Sequence, residues 1–555
     1  MIIRQLEIER FRGIKALSWK LGEGILCLVG PGDSTKSTIL DAIDYALSSR
    51  WSIPFDDTDF FDGDTSQPFT ITATVGNVPD ELLKESKFGL HARGWNPADG
   101  LRDEPTGNDK LVLSIRLSVD SSLEPVWSVV TDRTPDGVRI SSNDRDVLGC
   151  TRIDSFMDRH LGWSRGSVLA RLTGKFDELG KILAEAGREA KKGWTAESAP
   201  KLNEIAQSIS RLVKPVGVKA KHQYQPHLDV REIDVRAGSL TLHDGEIPVR
   251  LNGLGTRRLM TVALQHELSK QAGIVLIDEV EYGLEPHRLR RLLRYFRNEK
   301  VGQMLMTTHS AIAVHELAGN GLSIVTSSDG VTEVRAVGLD FSNLVRKYPE
   351  ALLAAKLIVC EGLTEMGVLL ALDDWWQQQG KESLACLGVV PVDGEGNNAS
   401  RVTCRLSKLG YRTAYFGDSD VPPDVVGMQA AGADVFLWAD AQAIEQRAAR
   451  DLPWQAVISM LDHAVRKHRE DTVRSWICAA HGATEALKRT PLLELADTNE
   501  LRTAIGKIAK DKDWFKSYDE GPVFGRIIAG SLERIPQTDL AAKLSALRTW
   551  IDSDV

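Results

Sequence analysis

The stretch from Gly24 to Leu47 constrains the fold of this 555-residue chain more than any other. It begins with GILCLVG, an apolar strand, continues through the turn PGDSTKST and then takes on helical spacing. A strand that enters a glycine-containing turn and leaves it as a helix is a building unit of α/β proteins. Because such a turn aims backbone N–H groups at one point and the helix N-terminus adds positive potential, the segment predicts a phosphate-binding loop.

The loop residues fit the P-loop pattern, with two departures. Gly30, Lys36 and Ser37 fall on its glycine, lysine and serine positions, which serve phosphate and Mg²⁺. Thr35 stands where a glycine is expected, and Asp33 brings a carboxylate near phosphate, so we expect changes in ATP affinity and turnover more than in fold. The predicted nucleotide-binding residues are Gly30, Gly32, Asp33, Ser34, Thr35, Lys36, Ser37, Thr38 and Asp278.

Three later segments strengthen this interpretation. GIVLIDE is an apolar strand that ends in Asp278, a predicted Mg²⁺ ligand, and Glu279, predicted to activate the attacking water. QMLMTTHS is a second strand, whose His309 is the predicted sensor of the γ-phosphate. RLNGLGTRRL resembles the ABC signature loop, although Asn252 replaces the usual serine. Their order and spacing predict an ABC-type ATPase head.

A second group of acidic residues follows two further apolar strands. KLIVCEGLTE carries Glu361 and Glu365, and TAYFGDSD ends in Asp418 and Asp420. This is the TOPRIM pattern, in which parallel strands bring their carboxyl ends to one sheet edge. Carboxylates so close together would repel one another unless cations lie between them, and oxygen ligands suit Mg²⁺ or Mn²⁺. Glu445, after a later strand, is a candidate to complete a second metal site.

Other interpretations of these acidic segments stay open. GDSD alone is also typical of a solvated turn, and an acid at a helix start needs no metal. Asp393 and Glu395, in VDGEGNN, are weaker metal-ligand candidates. Lys516 is a candidate catalytic residue that would approach the scissile phosphate, but a lone lysine is also commonly solvated.

Composition leaves the type of partner open. The net charge of −9 does not indicate a nucleic-acid-binding protein, although metal-binding carboxylates would contribute to it. Basic clusters at Arg211–His222 and His287–Arg297 are interpreted as solvated helix faces, with DNA contact as the alternative. The six scattered cysteines, the lack of a long apolar run and the absence of a signal-peptide pattern predict a cytoplasmic protein without a membrane span.

The predicted fold is α/β, with an ABC-type ATPase head, a TOPRIM domain and a helical C-terminal region. We expect the ATPase domain at residues 1–350, the TOPRIM domain at 351–480 and the helical region at 481–555. A helical insertion at about 163–212 has amphipathic spacing. It is interpreted either as core packing or as an antiparallel dimerisation arm.

The order of these motifs resembles the OLD family (overcoming lysogenisation defect) of bacterial and phage nucleases. The segments that carry the resemblance are GPGDSTKST, LNGLGTRRL, LIDEVEYGLEP, TTHS, VCEGLTE and GDSD. It implies a dimer formed through the ATPase region, metal-dependent DNA cleavage by TOPRIM and, in many members, anti-phage defence. Some members, the Gabija-type nucleases among them, work with a separately encoded helicase, so any helicase partner would be another chain.

The leading functional hypothesis is therefore an ATP-regulated, metal-dependent DNA endonuclease that forms a homodimer or a higher homo-oligomer. A nucleotide-switched DNA-binding scaffold with a non-cutting TOPRIM site is one alternative, and a TOPRIM nuclease acting on RNA is another. Strand transfer would need a nucleophilic tyrosine on a further domain. Tyr411, Tyr415 and Tyr518 lie in or near the TOPRIM region and do not indicate such a domain.

Overall fold

The computed structural model describes residues 1–148, 150–153, 160–163, 167–173, 185, 189, 241–298, 302–482, 487 and 489–553. The chain divides into two compact units, Met1–Cys27 with Ser37–Thr308 and Leu28–Lys36 with His309–Val555. Most of the predicted helical insertion, and the whole basic cluster at 211–222, lie outside the described residues. The predicted borders at residues 350 and 480 stay predictions.

The first unit is rich in strands. Its strands are β1 (Ile2–Phe11), β2 (Ile14–Lys20), β3 (Ile25–Val29), β4 (Phe69–Gly76), β5 (Arg93–Asn96), β6 (Gly100–Arg102), β7 (Lys110–Val119), β8 (Val126–Val130), β9 (Val138–Arg139), β10 (Cys150–Ile153), β11 (His243–Asp244), β12 (Ile247–Pro248), β13 (Ile274–Ile277) and β14 (Gln303–Thr307). Its helices are α1 (Lys36–Leu47), α2 (Ser142–Asp146), α3 (Val168–Thr173), α4 (Leu254–Ala272) and α5 (Pro286–Asn298).

An antiparallel layer forms around β1. This strand pairs with β2 on one side and β4 on the other, and β4 pairs with β7. Alternating exposure along β2 follows from its sequence IKALSWK, in which every buried position is apolar. β4, in contrast, is buried at every position except Thr70, so it is covered on both faces.

A parallel layer supports the motifs of the ATPase pattern. β10, β13 and β14 pair in parallel, and β3 follows β14 in the strand order. All four residues of β13 are fully buried, as expected for a strand covered on both faces. Because parallel strands end at one edge, Asp278 after β13 lies beside Thr307 at the end of β14.

The second unit alternates strands and helices. Its strands are β15 (Leu322–Ser328), β16 (Val331–Ala336), β17 (Lys356–Cys360), β18 (Val389–Asp393), β19 (Arg412–Gly417) and β20 (Asp434–Leu437). Its helices are α6 (Ala311–Glu316), α7 (Ser342–Lys347), α8 (Leu363–Gln378), α9 (Ala399–Lys408), α10 (Val425–Ala430), α11 (Ile444–Asp451), α12 (Trp454–His468), α13 (Glu470–His481), α14 (Asn499–Asp511), α15 (Glu520–Ala529) and α16 (Asp539–Asp552).

Four strands of this unit form a parallel sheet with the order β18-β17-β19-β20. The register pairs Cys360 with both Asp393 and Phe416, so β17, β18 and β19 end at the same level. Glu361 and Asp418, the first acidic residues of the predicted TOPRIM pattern, follow these strand ends directly.

The C-terminal helices pack into the same hydrophobic core as this sheet, and Leu547 and Ile551 are completely buried in it. α15 lies directly on α8. A Cβ atom on Gly367 would come within 2.5 Å of the Gly521 backbone, so both positions need glycine for the helices to approach. The predicted α/β fold and the helical C-terminal region are confirmed. No helix in the described part of the chain combines the length and apolar character needed to cross a bilayer.

Candidate functional site

The phosphate-binding loop contains strained backbone. Gly30 has φ 144°, and a Cβ atom there would lie 2.5 Å from the carbonyl oxygen of Val325, so only glycine fits. Asp33 and Thr35 adopt left-handed conformations with φ of 57° and 63°. A left-handed residue other than glycine costs roughly 1–2 kcal/mol. Thr35 therefore adopts a conformation that glycine would take without strain.

Lys36 is held by its own loop. Its side chain is 4% exposed, and its Nζ donates hydrogen bonds to the carbonyl oxygens of Pro31 (2.6 Å) and Gly30 (3.2 Å). A third bond goes to Oγ of Ser34, at 3.0 Å. These acceptors compensate the burial of the ammonium group and hold it beside the loop backbone.

The Asp278 carboxylate is the centre of a polar network in the first unit. Its Oδ1 accepts hydrogen bonds from Ser37 (3.0 Å) and Thr307 (2.6 Å). Its Oδ2 is paired with Arg152, which also pairs with Asp41. The Ser37–Asp278 bond brings together the two residues predicted to hold Mg²⁺ beside the nucleotide.

Glu279 and His309 are both exposed. The backbone N–H of Glu279 donates to Oγ1 of Thr307 at 2.8 Å, while its φ of 46° is left-handed. His309 follows the end of β14 by two residues. Arg258, which is 1% exposed, donates hydrogen bonds to the carbonyl oxygens of Asp278 and Glu279 and so holds the backbone that follows β13.

Sequence reasoning missed the supporting residues of this network. Arg258 and Thr307 lie inside segments that were already singled out, so proximity to the Asp-Glu pair was an available signal. Arg152 carries no local signal, because its role depends on the pairing of β10 with β13.

The second group of acidic residues converges in the second unit. Oε2 of Glu361 accepts the backbone N–H of Asp418 at 2.8 Å and the hydroxyl of Tyr415 at 3.1 Å. Oδ1 of Asp418 accepts the N–H of Ile444 at 2.8 Å, at the start of the helix that carries Glu445. Three separate elements, β17, β19 and α11, are thereby tied together through carboxylates.

Burial and mutual repulsion disturb these carboxyl groups. Burial, followed by the charge of Glu445, raises the pKa of Glu365 to about 8. Burial and the charge of Asp418 likewise raise the pKa of Glu445 to about 8. The pKa of Asp418 lies well above its usual range, because it is buried close to Glu365 and Glu361. The ionised forms therefore need an external positive charge.

The donor chemistry suits a hard divalent cation, since the clustered ligands are carboxylate oxygens. Within the described ranges, however, no three Asp, Glu, His or Cys side chains are arranged so that they could hold a metal ion as they stand. One oxygen of Glu361, of Glu365 and of Asp418 is already engaged with a backbone N–H. Side-chain rearrangement would have to accompany metal binding at this cluster.

The remaining acids of this region face lysines. Asp420 forms an ion pair with Lys510, which raises the pKa of that lysine. Asp393 is paired with Lys347 at 2.7 Å. Lys516 is 64% exposed and lies 3.7 Å from Asp513.

The lysine chosen from the sequence is thus not the one that contacts the Asp-x-Asp motif. Lys516 still lies near enough to Glu445 that its charge favours the ionised carboxylate and lowers the pKa of that residue against the effect of burial. Lys510, six residues earlier in the last turn of α14, is the residue that sequence reasoning missed.

Comparison with known proteins gives two sequence matches. The family model described as "AAA domain, putative AbiEii toxin, Type IV TA system" matches residues 25–314, more than half of the chain. The curated OLD nuclease of Thermus scotoductus is 25% identical over 354 residues, which cover 56% of this chain and 59% of that protein. The chain therefore matches less than two thirds of that relative's length.

Solved structures also show similarity. An Smc head bound to the C-terminal winged-helix domain of ScpA has 17% identity and a TM-score of 0.37, covering 62% of this chain and 99% of that one. The recombination mediator protein RecF has 13% identity and a TM-score of 0.32, covering 61% and 98%.

The predicted resemblance to OLD nucleases is confirmed by the curated relative. The segment matched by the family model includes the phosphate-binding loop, Asp278 and His309. With more than half of its length matched, the chain belongs to the family of AAA-type ATPase domains that carries this description.

Proposed function

We propose that this protein is a divalent-metal-dependent DNA endonuclease whose cutting is regulated by ATP. The observation that carries the proposal is the carboxylate cluster formed by the ends of β17 and β19 and the start of α11, in which Glu365 and Glu445 are buried and Glu361 and Asp418 are half-buried. The same chain also holds an ATPase domain. Its similarity to a protein named OLD nuclease gives further support.

In this proposal, the nucleotide binds at residues 30–38. Lys36 turns from the loop carbonyls to the β- and γ-phosphates, and Ser37 and Asp278 hold the Mg²⁺ of the nucleotide. Glu279 orients the attacking water, and His309 responds to the γ-phosphate. The strain at Asp33 and Thr35 is a reason to expect slow hydrolysis, with binding as the regulatory event.

At the proposed TOPRIM site, Glu361, Glu365, Asp418 and Glu445 would hold Mg²⁺ or Mn²⁺, with Asp420 beside them. A cation there supplies positive charge to the scissile phosphate and lowers the pKa of a bound water. The protein's own groups position the ligands. Tyr415 and the Asp418 amide orient Glu361, and the Ile444 amide orients Asp418.

A non-cutting DNA-binding scaffold is the second candidate function. The observation that favours it is the Lys510–Asp420 ion pair, because a lysine charge can replace a cation at one carboxylate of the motif. In an active nuclease, Asp420 would exchange this lysine for metal or Lys510 would contact the phosphate. A homodimer, a role in anti-phage defence and a helicase partner follow only from the resemblance and are proposed with it.

The deciding experiment incubates the protein with supercoiled plasmid, linear DNA and RNA, in Mg²⁺, Mn²⁺ or EDTA, with and without ATP. We expect nicked or linear plasmid in Mg²⁺ or Mn²⁺ and none in EDTA, with a rate that changes when ATP is added. DNA binding without any cutting in either metal would support the scaffold instead. Cleavage of RNA alone would redirect the proposal to an RNA nuclease.

A further inference from the structure

Helix α5 carries an unusual concentration of positive charge. Its 13 residues, PHRLRRLLRYFRN, include five arginines and no acidic residue. The protein as a whole carries a net charge of −9, so this helix is locally opposite in sign to the chain. The second basic cluster identified in the sequence is this helix.

The helix separates its two kinds of residue by face. Leu289, Leu292, Leu293 and Phe296 are buried, each at most 6% exposed. At 100° per residue, Arg290, Arg294 and Arg297 fall within an arc of about 60° beside the apolar face, roughly 120° from its centre, and Arg291 lies about 150° from that centre. All four arginines are exposed. The apolar face anchors the helix to the first unit, so the arginines extend from a rigid support.

Their spacing suits a regular polyanion. From Arg290 to Arg297 the helix rises about 10.5 Å, which is close to the rise of about three base pairs of duplex DNA. Guanidinium groups form paired hydrogen bonds with phosphate oxygens and are weakly hydrated. A row of arginines on a fixed helix can therefore contact successive phosphates without reading the bases.

We propose that the arginine face of α5, formed by Arg290, Arg291, Arg294 and Arg297, is a docking surface for the phosphate backbone of duplex DNA. This inference rests on the proposed function. The arginine face would let a nuclease bind its DNA substrate outside the carboxylate site, independently of sequence. Such a contact releases counterions that are condensed on the DNA, so its affinity falls as the salt concentration rises.

The test measures binding of a fluorescent 30-base-pair duplex in EDTA, where no cutting occurs, over a series of KCl concentrations. The variant Arg290→Gln/Arg294→Gln/Arg297→Gln removes three phosphate contacts. We expect its affinity at 0.1 M salt to fall roughly tenfold or more, and its salt slope to fall by about 2.7, at 0.9 per contact. The Lys triple variant at the same positions keeps the charge and should keep most of the slope.

The matched control is Arg133→Gln/Arg139→Gln/Arg466→Gln, which removes the same charge from exposed positions outside α5. We expect it to bind nearly as the wild type does. An equal loss in both triple variants would show a general charge effect and overturn the inference. The inference would also be overturned if the Lys variant lost as much DNA affinity as the Gln variant, because the arginines would then have a structural role.

The outcomes separate this inference from the proposed function. Plasmid cleavage with an unchanged salt slope in the α5 Gln variant would overturn the docking surface and leave the nuclease in place. A wild-type protein that neither binds nor cuts DNA would overturn the proposed function. Anionic phosphatidylserine vesicles and duplex RNA serve as competitors. If either is held more tightly than DNA through α5, the surface has a different partner and the inference fails.

Discussion

The phosphate-binding loop and the carboxylate cluster both bury charge, but they balance it in different ways. In the loop, the Lys36 ammonium is surrounded by acceptors from its own loop. In the cluster, burial raises the pKa values of Glu365, Asp418 and Glu445, and the charges of neighbouring carboxylates raise them further. The Lys36 charge is thus stabilised by acceptors of the loop itself, whereas the carboxylates of the cluster destabilise one another's ionised forms. A buried set of like charges indicates a cation more strongly than the motif spacing alone does.

The largest expected effect is at the cluster. Asp418→Asn removes a charge that raises the pKa of Glu445, while its side-chain oxygen can still accept the Ile444 N–H. Loss even of an outer-shell partner costs 10–100-fold, so losing a direct ligand should reduce plasmid cleavage by roughly 100-fold or more. ATP affinity should be unchanged. Glu382→Gln, at an exposed acid of the same unit, is the control. Full cleavage by Asp418→Asn would remove this residue from the site.

Lys36→Ala tests the phosphate-binding loop without changing the carboxylate cluster. The lysine is expected to exchange loop carbonyls for phosphates, and charge-assisted bonds contribute about 1.5–3 kcal/mol. ATP affinity measured by calorimetry should therefore fall by roughly 10–100-fold. Binding of Mn²⁺ to the cluster should not change. Lys110→Ala, at an exposed lysine, should leave both unaffected. Unchanged ATP binding in Lys36→Ala would mean that the loop is not the nucleotide site.

A stability measurement tests whether the cluster is repulsive in the absence of metal. Because its pKa is raised to about 8, Glu365 is mostly protonated in the folded protein at pH 7 but ionised in the unfolded chain, which destabilises the fold. Glu365→Gln removes this cost and keeps an oxygen that can accept the Gly362 N–H. In EDTA we expect stabilisation of about 1 kcal/mol, which is a rise in Tm of about 2–4 °C for a unit of this size. With added Mn²⁺, calorimetry should give the wild type the higher Tm, because metal binding stabilises the variant less. A lower Tm than the wild type in EDTA would contradict the repulsion.

The smallest effect is expected in the loop. Thr35→Gly relieves a left-handed threonine, worth roughly 1–2 kcal/mol, but costs about 0.5–1 kcal/mol of chain entropy. The free energy of unfolding in urea should rise by less than about 1 kcal/mol. Thr38→Gly, inside α1, should lower it by roughly 0.3 kcal/mol, because threonine is itself a poor helix former. If both substitutions destabilise the protein equally, the strain at Thr35 plays no part in the loop.

Local patterns were enough to predict much of this molecule. The strand-turn-helix at Gly30 and the acids after β13, β17 and β19 could be predicted, because an apolar strand followed by a polar residue is a feature of contiguous sequence. Parallel pairing then brings Glu361 to Asp418.

The partners of these residues could not be predicted in the same way. Lys510 reaches Asp420 across 90 residues of chain, and Arg152 reaches Asp278 across 126. Such pairs depend on how helices pack on the sheet, which hydrophobic spacing alone leaves undetermined. Lys516 was chosen from its position in the chain, but its exposure and its contact with Asp513 are tertiary facts.

The most direct test of the central claim is a titration of Mn²⁺ by electron paramagnetic resonance, carried out without nucleotide so that only the carboxylate cluster is sampled. We predict that the wild-type protein binds Mn²⁺ and that Asp418→Asn/Glu445→Gln loses this binding, while Glu382→Gln keeps it. Mn²⁺ binding that is equal in the wild type and the double variant would contradict the account, because the buried carboxylates would then not be the site of the cation.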